Sequence, residues 1–330
     1  MSEEEEQPRS AAVQVAERQL RMLKSAFGSH ISAALDDPEV IEIMVNPDGS
    51  LWLDRLKSGR ATTGIVLSEA STERIIRLVA AHIHLEVHSG APIISAELPD
   101  TGARFEGLLP PIVRAPAFTI RKRAIEVISL ARYVEEQIMT APQAQSLRQA
   151  VREHQNILIA GGTSTGKTTL ANALLCEIAK AQERVLLLED TVELQCTAQD
   201  RVSLRAQAGV ASMTQLVRST LRLRPDRIIV GEVRGGEALD LLKAWGTGHP
   251  GGLATIHAGS ARGALHRLEQ LIQEVVTTVP RALIAETVNV IVFIAGRNRA
   301  RRVQEIVRVT GLDANGYHLE PMVVNSGDAS

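Results

Sequence analysis

One stretch constrains this chain more than any other. Gly161-Gly162-Thr163-Ser164-Thr165-Gly166-Lys167-Thr168 reads G-x-x-x-x-G-K-[ST]; it follows the apolar run NILIA and precedes a helical pattern from Thr169 to Ala179. Strand, glycine-rich turn and helix, in that order, form a phosphate cradle. The glycines let the backbone curl around an anion so that successive N–H groups point inward, and the helix adds the positive end of its dipole. Lys167 would neutralise the outer phosphates of a nucleotide, and the Thr168 hydroxyl would ligate Mg²⁺. Residues 161–169, Thr169 included, are therefore candidate nucleotide contacts, with ATP as substrate and Mg²⁺ as cofactor.

The motif sits among other short apolar runs. RVLLLED, RIIVGE, GLATIH and NVIVFIA alternate with helical patterns, as strands buried on both faces of a mostly parallel sheet do. Three of these runs end in a group suited to phosphate chemistry: Glu189 with Asp190, Glu232, and His257. A carboxylate in that position is placed to orient an attacking water or to hold one bound to magnesium. His257 suits a sensor of the terminal phosphate, and Glu193 is a further acid in the loop after Glu189. His249, in the glycine-rich loop Gly246 to Gly252, reads equally as a functional group or as loop surface.

A chain of 330 residues has room for two domains. In the first half Ala16, Leu20, Leu23, Phe27 and Ile31 recur at helical spacing, which predicts a helix over about 11–34. IEIMV and LWLDR then flank the turn Asn46-Pro47-Asp48-Gly49-Ser50 as a hairpin, and Ile75, Val79 and Ile83 mark a second helix before three more strand-like runs. The resulting division is a disordered acidic start at 1–10, an α+β domain at 11–125, a linker at 126–140, a P-loop α/β domain at 141–324 and a disordered tail at 325–330. Thr140 is expected to cap a helix with Pro142 in its first turn.

Charge and composition exclude several classes. Lys plus Arg is 36 against 38 for Asp plus Glu, so no global positive field draws the chain onto nucleic acid. Two Trp, two Tyr and four Phe are too few to line a base-stacking groove. Direct nucleic-acid binding is accordingly not favoured. Cys176 and Cys196 form no zinc or disulfide framework. No apolar run is long enough for an integral membrane segment, and the acidic start does not read as an export signal, so a cytoplasmic location is expected. Arginines gather around the expected site: Arg218, Arg222, Arg224, Arg227 and Arg234 in the second half, and Arg104, Arg121 and Arg123 in the first. Because AFTIRKR belongs to a domain with no phosphate motif of its own, Arg121 and Arg123, with Arg104, are candidates for guanidinium contacts to phosphate.

In order along the chain, GGTSTGKTT, LLLEDTVEL, LRLRPDRIIVGEVRGGEA and GGLATIHAGSA resemble the secretion ATPase superfamily, which drives type II and type IV secretion and pilus machines; the likeness spans nearly all of residues 140–300. In that family these stretches are Walker A, an acidic box, an atypical Walker B with the catalytic glutamate, and a His box. The resemblance implies Lys167 and Thr168 on phosphate and Mg²⁺, Glu189 in the acidic box, Glu232 as catalytic glutamate and His257 in the His box, with Glu189 and Glu232 reaching the metal through water. It also implies a RecA-like P-loop NTPase domain preceded by a smaller α+β domain that supplies arginines, which fits Arg104, Arg121 and Arg123. A homo-hexameric ring, peripheral at the cytoplasmic face of the inner membrane and serving a secretion or conjugation apparatus there, follows from the same likeness. The short first domain, the lack of four cysteines after the His box and the run RPDRIIVGEVRGGEALDLLKAWGTGHPGG point to conjugal transfer ATPases of the type IV branch; type II and pilus ATPases are the near alternative. One departure is Gly231, which precedes Glu232 where many P-loop enzymes carry an aspartate, leaving the outer metal ligand open. A DNA-handling motor and a nucleotide-gated scaffold without turnover are the readings from other classes.

Overall fold

Two patterns of apolar residues build two sheets of opposite character. The computed structural model describes residues 11–123, 127–207, 209–297 and 300–323; the segments 1–10 and 325–330, expected to be disordered, lie outside them. The chain divides into two units between Ile125 and Glu126.

The first unit runs α1 (Ala11–Asp36), β1 (Val40–Val45), β2 (Ser50–Arg55), β3 (Gly59–Val66), α2 (Glu69–His82), β4 (Ile93–Glu97), β5 (Arg104–Leu108) and β6 (Ala117–Arg121). Its sheet is antiparallel throughout, ordered β3-β2-β1-β6-β5-β4. Strand residues alternate between buried and exposed, as expected when one face is covered. Leu23, Phe27 and Ile31 of α1 and Ile75, Ile76 and Val79 of α2 meet Ile43, Leu51, Phe105 and Ile120 in that core. The helix expected over 11–34 extends to Asp36 but breaks at Gly28, whose φ of 64° no ordinary helical residue adopts. Lys122 then ties the sheet to the end of α1, its ammonium donating to the Ala34 carbonyl at 3.2 Å and the Asp37 carbonyl at 2.6 Å.

The second unit contains α3 (Leu130–Glu135), α4 (Ala141–Arg152), β7 (Ile157–Gly161), α5 (Lys167–Ile178), β8 (Val185–Glu189), β9 (Arg201–Arg205), α6 (Met213–Thr220), β10 (Arg227–Val230), α7 (Glu237–Gly246), β11 (Leu253–His257), α8 (Ala261–Gln273), α9 (Arg281–Thr287), β12 (Val290–Ala295), β13 (Arg302–Asp313) and β14 (Gly316–Pro321). The sheet order is β14-β13-β12-β7-β11-β10-β8-β9; the strands from β12 to β9 run parallel and the last two return antiparallel. Every residue of β7 is buried because helices cover both faces. Leu158 and Ala160 pack with Leu241, Trp245 and Leu268 on one face, while Ile157 and Ile159 pack with Leu147, Leu170 and Leu174 on the other. This is the RecA-like P-loop arrangement.

The segment 126–140, expected as a linker, is structured from residue 127 onward and belongs to the second unit. It contains α3, and Leu130 and Tyr133, both fully buried, join Ile138 and Met139 in the core beneath β7. Thr140 does cap α4: its hydroxyl accepts from Gln143 N at 3.3 Å while the Gln143 side chain accepts from Thr140 N at 2.8 Å, with Pro142 in the first turn.

Candidate functional site

Parallel strands deliver their C-terminal ends to one edge, so groups far apart in sequence meet there. β7 runs straight into the glycine-rich turn, where Ser164 takes φ 61° and Gly166 φ 92°, left-handed values that curl the chain before α5 begins at Lys167. The Thr165 hydroxyl donates to the Gly162 carbonyl at 3.0 Å and pins the loop. Lys167, only 7% exposed, folds back so that Nζ donates to the same carbonyl at 2.9 Å. Its ammonium also lies 3.4 Å from both ring nitrogens of His257, at the end of β11 two strand positions from β8. Thr168 and Thr169 stand half-buried in the first turn of α5, while Gly162 and Thr163 are exposed at the mouth of the loop.

The expected carboxylates join this group. His257 Nε2 is 2.9 Å from Glu232 Oε1, and Arg234 donates from Nη2 to Glu232 Oε2 at 2.7 Å while its other amino group holds Asp190. Lys167, His257, Glu232, Arg234 and Asp190 thus form one continuous polar chain across the strand ends. The hydrogen bond to Glu232, with the charges of Glu232 and Asp190, raises the already high pKa of Arg234. Glu189, buried at 4% exposure, has a second role: Oε1 accepts from Glu193 N at 2.8 Å and Leu194 N at 2.7 Å and so folds the acidic loop. A Cβ on Gly231 would lie 3.1 Å from Glu189 Cγ, so the neighbouring strand's glutamate packs closely beside the glycine that precedes Glu232.

Sequence reasoning overlooked two supports of this arrangement. Asn172, a polar residue in the apolar run ANALL, donates to the Glu193 carbonyl at 3.1 Å and accepts from Gln195 N at 2.9 Å. Thr255 donates to the Gly231 carbonyl at 2.6 Å, registering β10 against β11. A polar side chain inside a buried apolar run was the available signal for both.

Of the five arginines expected around the site in this half, Arg234 alone joins the polar chain. Arg227 begins β10, at the far end of the strand from Glu232, and is buried on Glu183, the Gly251 carbonyl at 3.2 Å and the Val151 carbonyl at 2.9 Å. Burial pushes the Glu183 carboxyl up, but Arg227 and His154 together hold it below the usual glutamate range. Arg218 forms a paired contact to Asp240 at 3.0 and 3.1 Å, and Arg224 takes a left-handed φ of 53° before β10. His249 also lies before β11 rather than after it, with Nδ1 3.0 Å from the Pro225 carbonyl, and is a loop support.

Within the first unit, Arg104 and Arg121 face each other as register partners on β5 and β6. Arg121 Nε approaches Glu42 at 3.9 Å on the next strand. Arg123 pairs with Glu97 at 3.4 Å and lies across the turn at Gly102, whose missing side chain leaves room for the guanidinium. The three arginines therefore occupy one end of the β4–β5–β6 ribbon.

The chain matches the profile of a family described as "Type II/IV secretion system protein" over residues 57–307. It is 49% identical to the conjugal transfer protein TrbB of Rhizobium radiobacter, covering 92% of this chain and 94% of that protein. It is 33% identical to the type IV secretion system protein PtlH of Bordetella pertussis, over 85% of this chain and 93% of that one. Among solved structures, the Legionella pneumophila ATPase DotB superposes with a TM-score of 0.56 at 19% identity, over 92% of this chain and 83% of that one. The pilus retraction motor PilT with bound ADP superposes with a TM-score of 0.58 at 16% identity, over 88% and 80%. Both share the fold.

Proposed function

The chain belongs to the type II/IV secretion system protein family, and from that premise we propose that it is a Mg²⁺-dependent ATPase, a homo-hexameric ring that powers type IV secretion in its conjugative form. The observation that carries the reading is the convergence of Lys167, His257 and Glu232 on the P-loop edge of a parallel sheet. Relatives named for conjugal transfer at about half identity over most of both chains support the conjugative assignment. Among the described residues no helix is long and apolar enough to cross a membrane. A cytoplasmic place at the inner-membrane apparatus is the corresponding proposal for location and partner.

The residues present suit Mg²⁺. Among the described residues no cluster of three or more His, Cys, Asp or Glu forms a self-sufficient metal cage, and Mg²⁺ is ordinarily held by one or two protein oxygens, substrate phosphates and water. Thr168 would hold it directly, with Glu189 and Glu232 outside its water shell. When bound it neutralises charge on the outer phosphates. The protein's own steps are these. Lys167 leaves the Gly162 carbonyl for phosphate oxygen, the loop N–H groups fix the phosphate chain, and Glu232 orients the attacking water and accepts its proton. His257, now bridging Lys167 and Glu232, reports the terminal phosphate to the carboxylate. Arg104, Arg121 and Arg123 add positive charge from the first domain.

The test is ATP turnover together with solution mass, for the natural chain and for Glu232→Gln. Turnover in a particle of six chain masses, with Glu232→Gln retaining ATP but losing rate by about 10³-fold, is expected. A monomer that holds ATP without turnover would instead establish a nucleotide-gated scaffold. Turnover that requires DNA and falls steeply with salt would establish a DNA motor.

A further inference from the structure

The phosphate loop has a second cationic neighbour, on the side away from Glu232. β7 is flanked by β11, with β10 beyond it, and on its other side by β12. Glu232 and His257 approach the loop from the first side. From the second comes the connection between β12 and β13, and its Arg301 guanidinium lies against Gly166: a Cβ there would be 3.0 Å from both Cζ and Nε. The glycine before Lys167 thus meets two demands, a φ of 92° and room for this side chain.

The backbone on either side of Arg301 is pinned. At Gly296, φ 80°, any Cβ would collide with the Ala300 carbonyl, and Ala300 N donates to the Arg297 carbonyl at 3.0 Å. Past the arginine, Val303 N donates to the Ile138 carbonyl at 2.7 Å and the Gln143 side chain donates to the Val303 carbonyl at 3.3 Å. Among the described residues Arg301 Nε is buried with no acceptor, as is the hydroxyl of Tyr133, whose burial raises its pKa while the charge of Arg301 opposes the rise. With Nε turned inward, the rest of the half-buried guanidinium stands beside the positive end of α5, where an anion would be shared by both.

We propose that Arg301 binds the α-phosphate of the nucleotide, an intra-chain contact at the nucleoside end of the phosphate chain. The inference rests on the nucleotide reading above. A nucleotide whose terminal phosphate faces Glu232 and His257 runs its phosphate chain across the loop toward β12, where Arg301 lies against Gly166. Because the α-phosphate is present before and after hydrolysis, the contact strengthens ATP and ADP binding alike and belongs to affinity rather than to the chemical step.

Calorimetric titration with ADP and with GDP, beside steady-state ATP turnover, tests this on the full chain. Arg301→Ala is expected to weaken both nucleotides by the same factor, about tenfold for one charge-assisted contact, and to appear in KM rather than in kcat. Arg301→Gln, which keeps the bulk against Gly166, should lose as much, and Arg301→Lys should recover part. Unchanged ADP affinity in an Arg301→Gln protein of natural melting temperature would overturn the proposal. So would a loss confined to kcat, or one that differs between ADP and GDP, which would make the residue a reader of the base. Lys167→Ala serves as the reference: if it binds ADP normally, the nucleotide reading itself fails, whereas weak binding there with intact Arg301 variants removes only this contact.

Discussion

The two sheets of this molecule assemble charged groups in different ways. In the parallel sheet each strand ends at the same edge, so Gly161, Glu189, Glu232 and His257 arrive together merely by being the residues at which buried runs stop. In the antiparallel sheet successive ends alternate between edges, and Arg104 meets Arg121 only because β5 and β6 pair in one particular register. Each member of the first site is therefore marked by its own run of sequence, while the second is a property of strand pairing that no single run displays.

The largest expected effect breaks the parallel side. Lys167→Ala removes the one ammonium fixed inside the loop, and ATP turnover should fall by about 10³-fold or more, measured by phosphate release. Normal turnover in that variant would mean that the strand-end geometry is a scaffold without phosphate chemistry. Next comes the far end of the same strands. Glu183→Gln strands the buried Arg227, and the cost should be about 3–5 kcal/mol in urea unfolding of the chain, with the strand-end site chemically unaltered. The pH dependence has a definite sign. A carboxyl whose folded pKa is lowered contributes above its unfolded value, near 4.3, and that contribution is lost as pH falls through the folded value. Natural protein should thus lose this component only in acid, and Glu183→Gln should lack it at all pH values.

How much of this was legible follows from the same contrast. The glycine-rich turn and the Thr140 cap could be read directly, since each depends on neighbours within a few residues, and Glu232 and His257 because each closes a buried apolar run. The structure also assigned roles that spacing could not. Arg227 and Arg234 lie seven positions apart in one run, yet they fall at opposite ends of β10, one buried for stability and one at the carboxylate, because a four-residue strand separates them. The segment at 126–140 read as a linker because a helix-start signal at Thr140 and Pro142 follows it, but Leu130, Tyr133, Ile138 and Met139 join the core beneath the sheet. Arg301 was hidden in a run of arginines that resembles any solvated face. Its distinction is the contact with Gly166, which exists only after β12 and β7 have paired.

The smallest effect sharpens the antiparallel side. Arg121 is half-exposed and only 3.9 Å from Glu42, so its removal leaves little unpaired charge and should change stability by less than about 1 kcal/mol. If its function is to pair with its own sheet, ATP turnover will be unaltered in Arg121→Ala. If the β4–β5–β6 ribbon presents a guanidinium to nucleotide, turnover should drop by about tenfold or more while the melting temperature holds. Mixing Arg121→Ala with Glu232→Gln separates the geometries within that second case. Activity regained in the mixture means that one chain supplies the arginine and another the glutamate, so the register pair of one subunit completes the strand-end site of its neighbour. Activity that stays at the level of the separate variants means that both must come from the same chain, and the two sheets then form one site in every subunit.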